Sequence, residues 1–139
     1  MITFNYETDF ELANEEAYEK WLSAVIASEE KKEGEINYIF CDDDYLLKIN
    51  IEYLNHDDLT DIISFDYSVG NELHGDIYIS TERVAENAVD FEVSFEDELK
   101  RVLVHGILHY CGYKDKTETD AAIMRDKEEH KMSLFHVEL

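Results

Sequence analysis

Two histidines stand four residues apart at His105 and His109, and a carboxylate, Asp115, follows six residues after the second. On a helix, side chains four apart project side by side with Cβ atoms ~5–6 Å apart, so both imidazoles can reach one metal ion. Between them and the carboxylate lies Gly112, a residue type that ends a helix in the left-handed conformation and lets the chain fold back. Asp115 can then close a three-point chelate with a fourth position open to water. Two histidines and a carboxylate are an arrangement used for catalytic zinc, which brings the pKa of its water from ~15.7 toward ~7. A histidine pair at this spacing is by itself common on amphipathic helices, with one ring bonded in the core and the other half exposed. Gly112 and Asp115 set this segment apart, and the expectation is one zinc ion per chain held by His105, His109 and Asp115.

The helix that must carry these residues begins at Ser94, where Ser94-Phe95-Glu96-Asp97 has the form of a capping box, and its apolar positions Leu99, Val102, Leu103, Ile107 and Leu108 keep a helical period. Thr117-Glu118-Thr119-Asp120 starts a further helix running toward Leu134, and a short one starts at Ser80 or Thr81. Upstream, Ile2 to Tyr6 alternates as a strand. Ala17, Tyr18, Trp21, Leu22, Val25 and Ile26 predict a helix from Glu15 to Lys32, ending near Gly34. Ile36 to Cys41 is a second strand. Asp42 to Asp44 cap a helix through Leu47 and Ile51, and Asn55-His56-Asp57-Asp58 is a polar turn. Ile62 to Phe65 and Asp76 to Ile79 are two more strands, joined by a loop holding Gly70 and Gly75. With no crossover between them they should pair antiparallel. The order βαβαββ followed by three helices predicts an α+β fold, a small mixed sheet of about four strands packed with helices.

The 139 residues suit one domain, 1–139, and 45% apolar residues suffice for a core. Neither a membrane span nor a leader is expected, and Cys41 and Cys111, seventy positions apart, suit buried thiols in a reducing compartment, so the expected location is the cytoplasm. The formal net charge is -22, which disfavours gripping nucleic acid through the whole surface. The charge is unevenly spread. Residues 100–131 hold seven basic against six acidic side chains, while the other 107 residues hold five basic against 28 acidic. A polyanion would have to meet that segment, where Lys114 and Lys116 flank Asp115 and are the candidate phosphate-binding residues.

The stretch His105-Gly-Ile-Leu-His-Tyr-Cys-Gly-Tyr113 resembles the HGxLHxxGYDH signature of the YbeY family, metal-dependent endoribonucleases of ribosomal RNA maturation. Thr60-Asp61-Ile62-Ile63-Ser64-Phe65 is similar to the family's T-[DN]-V-L-S-F strand, and Gly75-Asp76-Ile77-Tyr78-Ile79 to its G-D-I-x-I strand. The resemblance implies a small α+β fold, a zinc-dependent hydrolase specific for single-stranded RNA, and ribosomal RNA or the small ribosomal subunit as partner, with proteins that deliver the RNA as further partners. Two positions depart from it. Asp115 stands where the family has a third histidine, and its charge should leave a bound water less acidic than under three imidazoles. Leu54 stands where the family has an arginine that contacts phosphate.

Two other readings stay open. A metalloprotease-like hydrolase fits the three ligands, but Gly106 occupies the place where an HExxH protease carries its glutamate base. Asp97 and Glu98 are other carboxylates on the helix, Glu98 two turns from His105 and therefore set aside; no base is assigned. A non-catalytic, ribosome-associated factor with a structural metal fits Leu54 and the net charge. Asp42-Asp43-Asp44 reads as a helix start rather than a cation site. His74 reads as a turn residue or one facing the metal cleft. Phe4, Tyr6, Tyr18, Trp21, Tyr38 and Phe40 fall on core faces rather than on a stacking platform for bases.

Overall fold

A computed structural model of the chain describes residues 1–56 and 58–135. Its elements are β1 (Ile2–Tyr6), α1 (Glu15–Ser28), β2 (Lys32–Cys41), α2 (Asp43–Leu54), β3 (Ile62–Asp66), β4 (Glu72–Ser80), α3 (Thr81–Asp90), α4 (Phe95–Tyr110) and α5 (Glu118–Met132). The four strands form one mixed sheet in the order β1-β2-β4-β3. β2 runs parallel to both β1 and β4, while β3 pairs antiparallel with β4, as the short connection between them requires.

Alternation along the strands gives the sheet two different faces. Ile36, Tyr38 and Phe40 of β2 and Leu73, Ile77 and Ile79 of β4 point to one side, where α1 and α4 bury Trp21, Leu22, Leu103 and Ile107 against them. On the other side Cys41, Ile63 and Tyr78 meet Leu46 and Ile49 of α2 in a smaller cluster. α4 is buried around most of its circumference, with the sheet on one side and α3 and α5 packed on others. The Tyr38 hydroxyl donates to the Leu103 carbonyl at 2.7 Å, and the Tyr110 hydroxyl to that of Phe65 at 2.9 Å. These bonds fix where along the sheet the histidines emerge.

The expected α+β fold is observed, with the end of the first helix and the starts of β2 and β4 moved. The first helix stops at Ser28 because Glu30 takes the left-handed conformation (φ 59°) that a C-terminal glycine would supply, and Lys31 N–H returns to the Ile26 carbonyl. Gly34 lies inside β2 instead; a Cβ there would meet the His74 ring and, at 2.5 Å, the Leu73 carbonyl. Gly75 likewise lies in β4, which begins at Glu72 because it pairs back to Lys32, and its missing side chain makes room for the Tyr110 hydroxyl. The helix starts at Ser80, Asp42, Ser94 and Thr117 are observed, each side chain accepting a backbone N–H from the first turn. Asp57 of the predicted polar turn lies outside the described residues. Among the described residues no helix is long and apolar enough to cross a membrane. Cys41 and Cys111 are free thiols, pushed up to about 12 and about 11 respectively, in each case mainly by burial.

Candidate metal centre

α4 ends as its sequence dictates. Gly112 adopts φ +104°, its N–H bonds the His109 carbonyl at 3.0 Å, and the Tyr113 N–H reaches back to Leu108 at 3.1 Å. This pair of bonds is the Schellman termination. It reverses the chain over the last turn of α4 and lays Asp115 beside the two histidines. Asp115 Oδ2 is 3.3 Å from His105 Nε2 and 3.4 Å from His109 Nε2, and one ligand atom from each of the three residues lies within 4.8 Å of the others.

The second nitrogen of each ring is already committed. His105 Nδ1 lies 2.6 Å from Glu128 Oε2, and His109 Nδ1 lies 2.9 Å from the Tyr113 carbonyl oxygen. A carbonyl and an ionised carboxylate only accept, so the protons sit on Nδ1 and both Nε2 lone pairs turn toward Asp115. Three acceptor atoms facing one another repel unless a cation or a proton lies between them. The spacing suits a metal: a tetrahedron with ~2.05 Å metal–donor bonds has edges of about 3.3 Å. Among the described residues no other group of three histidine, cysteine or acidic side chains converges in this way.

Burial works against charging the His105 ring, but the hydrogen bond and charge of Glu128, with Asp115 and Asp61 behind them, outweigh it and hold its pKa above the ordinary histidine value. Glu128, only 5% exposed, also accepts from Arg101 Nη1 at 3.1 Å. Arg101 in turn stands 3.8 Å from Glu98, which is 3% exposed and whose Oε1 has no hydrogen-bond partner among the described residues. Desolvation raises the pKa of Glu98 and of Asp61, Arg101 and His105 respectively offsetting it only in part.

A cleft of about 460 Å³ joins these groups, running from the histidines along α4 between the start of β3, the C-terminal end of α3 and α5. Of the residues predicted from sequence, His105, His109 and Asp115 line it together. Lys114 and Lys116 are exposed on the same loop but do not line it; its cations are Arg101 and Arg125. Glu98, set aside in the sequence, does line it, because two helical turns return a side chain to the same face. Asp97 stays exposed at the helix start, and Leu54 is exposed at the end of α2. His74 belongs to β4 and lies in a different depression with Asn37 and Asp76, held by Glu35 N–H and Glu72. Gly106 points into the core, where a Cβ would stand 3.0 Å from Ile77 Cδ1, so no side chain at that position could serve the cleft. Glu128 went unread in the sequence. Its signal was a carboxylate one turn after Met124 on the buried stripe of α5.

The family described as endoribonuclease YbeY matches residues 2–136. The chain is 73% identical over 138 residues to the endoribonuclease YbeY of Flavobacterium johnsoniae, covering 99% of each chain. It is 69% identical over 137 residues to that of Flavobacterium psychrophilum, covering 99% of this chain and 98% of the relative. The fold is similar to the solution structure of TM1509 from Thermotoga maritima, with a TM-score of 0.69 and 26% identity over 97% of this chain and 89% of that one. Over nearly its whole length, therefore, the chain belongs to the endoribonuclease YbeY family.

Proposed function

We propose that this chain is a zinc-dependent endoribonuclease for single-stranded RNA, acting in the cytoplasm in ribosomal RNA maturation and ribosome biogenesis on ribosomal RNA or the small ribosomal subunit, alone or with proteins that deliver the RNA. Membership in a family whose curated relatives are named endoribonucleases supports the reaction class. The observation that carries the metal is local: Nδ1 of each histidine is tied to an acceptor while both Nε2 atoms converge on Asp115 at tetrahedral edge lengths. His105, His109 and Asp115 would hold the zinc ion, which would supply hydroxide near neutral pH and positive charge beside a phosphate.

The chain's own residues do the positioning. Glu128 and the Tyr113 carbonyl fix which ring nitrogens face the cleft. Glu29 holds the Tyr113 hydroxyl at 2.7 Å and is itself paired with Lys131 at 2.9 Å, which anchors the loop carrying Asp115. Lys114 and Lys116, exposed beside Asp115, meet the RNA backbone outside the cleft. Elemental analysis of protein purified without added metal should return one zinc per chain, and cleavage of single-stranded RNA should stop with chelator. Absence of stoichiometric metal, with unchanged metal affinity in His109→Ala, would refute the site. Metal-replete protein that neither binds nor cuts RNA would favour a non-catalytic ribosome-associated factor, the reading that exposed Leu54 supports.

A further inference from the structure

The chain has three arginines against 34 acidic residues, and two of the three are consumed by carboxylates. Arg83 pairs with Asp43 at 2.9 Å and Glu86 at 2.6 Å, and Arg101 with Glu128 at 3.1 Å. Arg125 has no carboxylate within 4.0 Å among the described residues, although Glu128 and Glu129 follow it at helical spacing on α5 and its charge reaches Glu98 in the cleft. Glu128 instead turns inward to His105, and the nearest guanidinium to Glu129 is that of Arg101. Arg125 therefore lines the cleft as a cation whose donors are left for something other than this protein's own acids.

Across the cleft, Phe91 caps the C-terminal end of α3 and is left 57% exposed on the wall, with Asn87 one turn before it. The Phe91 backbone N–H is satisfied by the Asn87 carbonyl at 2.9 Å, while the Asn87 side-chain amide makes no hydrogen bond among the described residues. A flat apolar face, a free amide and an unpaired guanidinium around one cleft match the three parts of a nucleotide: a base face, a base edge and a phosphate.

We propose that the part of the cleft beyond the histidines is a one-nucleotide subsite for single-stranded RNA, in which Arg125 pairs with a backbone phosphate and Phe91 stacks on the adjacent base. This rests on the ribonuclease reading and adds to it the direction in which the strand leaves the metal centre, between α3 and α5. Asn87 offers its amide to the edge of the stacked base.

The test is binding of a fluorescein-labelled single-stranded RNA dodecamer to the protein as purified, followed by anisotropy extrapolated to zero time over a series of salt concentrations. Arg125→Gln should weaken binding and make the slope of log affinity against log salt shallower by about 0.7, one phosphate contact. Arg125→Lys should restore that slope. Phe91→Ala should weaken binding by about 5- to 150-fold with the slope unchanged, and Phe91→Tyr should restore it while Phe91→Leu does not. A parental slope in Arg125→Gln would overturn the phosphate contact, and parental affinity in Phe91→Ala would overturn the stack. If the parent itself fails to bind or cut RNA, the ribonuclease reading falls and the subsite with it. That result is distinguishable because it appears before any variant is made.

Discussion

Glu128 is the carboxylate on which the orientation of His105 depends, and replacing it with glutamine tests that dependence with the least change of shape. Its Oε2 accepts a hydrogen bond from His105 Nδ1–H at 2.6 Å and its Oε1 accepts one from Arg101 Nη1 at 3.1 Å. Glu128→Gln keeps one acceptor and loses the charge. Partners that orient a ligating histidine are worth about 10–100-fold in metal affinity, or about 1.4–2.7 kcal/mol. The expected result is a loss of that size in a competition titration against a chromophoric chelator.

The pH of that titration decides whether the loss is visible. Glu128 is the main interaction raising His105 against the lowering effect of burial, so the glutamine variant also relieves proton competition for Nε2. The titration therefore belongs at pH 8, with the ring's own pKa followed by NMR in metal-free protein. That pKa lies above the ordinary ~6.5 of the unfolded chain. The pair's contribution to metal-free stability is then complete below ~6.5 and is lost as pH rises through the folded value; Glu128→Gln should flatten that slope. Metal affinity within twofold of the parent at pH 8, alongside a lower melting temperature, would show Glu128 to be only a structural ion-pair partner and refute the orientation argument.

Glu98→Gln tests the orphaned carboxyl: burial raises its pKa, so the contribution of the protonated carboxyl to stability is complete below ~4.5 and is lost as pH rises through the folded value. The variant should be more stable than the parent at pH 7, with the difference shrinking toward pH 4 in urea unfolding; a difference that grows toward acid would be wrong for this cause. Gly75→Ala should cost about 2–4 kcal/mol, from overpacking against Tyr110 and loss of its bond to Phe65, and unchanged thermal unfolding would contradict the close approach. No chelator-sensitive cleavage of casein is expected, since Gly106 supplies no general base and such help is worth ~10²–10⁴-fold; such cleavage would restore the protease reading.

The candidate metal-binding group of His105, His109 and Asp115 was legible because the positions of its members are set locally: a helical repeat, a glycine that ends the helix and a loop of two residues before the carboxylate. Local chemistry likewise fixed the helix starts at Ser94 and Thr117. What escaped depends on tertiary approach. Glu128 meets His105 across 23 residues of chain, and nothing in α5 alone says that this face turns toward α4. Gly34 and Gly75 read as turn residues because sequence cannot distinguish a glycine needed for its backbone from one needed because a neighbouring ring occupies the space of its Cβ. Leucine at position 54 drew attention to a missing cation, yet the cations of the cleft are Arg101 and Arg125, brought there by the packing of α5 on α4.

The charge distribution sets how RNA must arrive. At a net charge of -22 the body of the protein repels a polyanion at long range, while attraction is confined to the segment where the charges nearly balance. Repulsion between charges separated by more than the Debye length, about 10 Å at 0.1 M salt, is removed by ions before contacts inside the cleft are weakened. Association should therefore accelerate as salt rises from about 20 to 100 mM, opposite to the steering of a basic nuclease, while dissociation also accelerates as phosphate contacts are screened. Stopped-flow anisotropy with the same RNA dodecamer separates the two rates. An association rate that falls with salt from the lowest concentration would mean that attraction by a local cationic surface outweighs repulsion by the acidic body, and would contradict the argument from net charge.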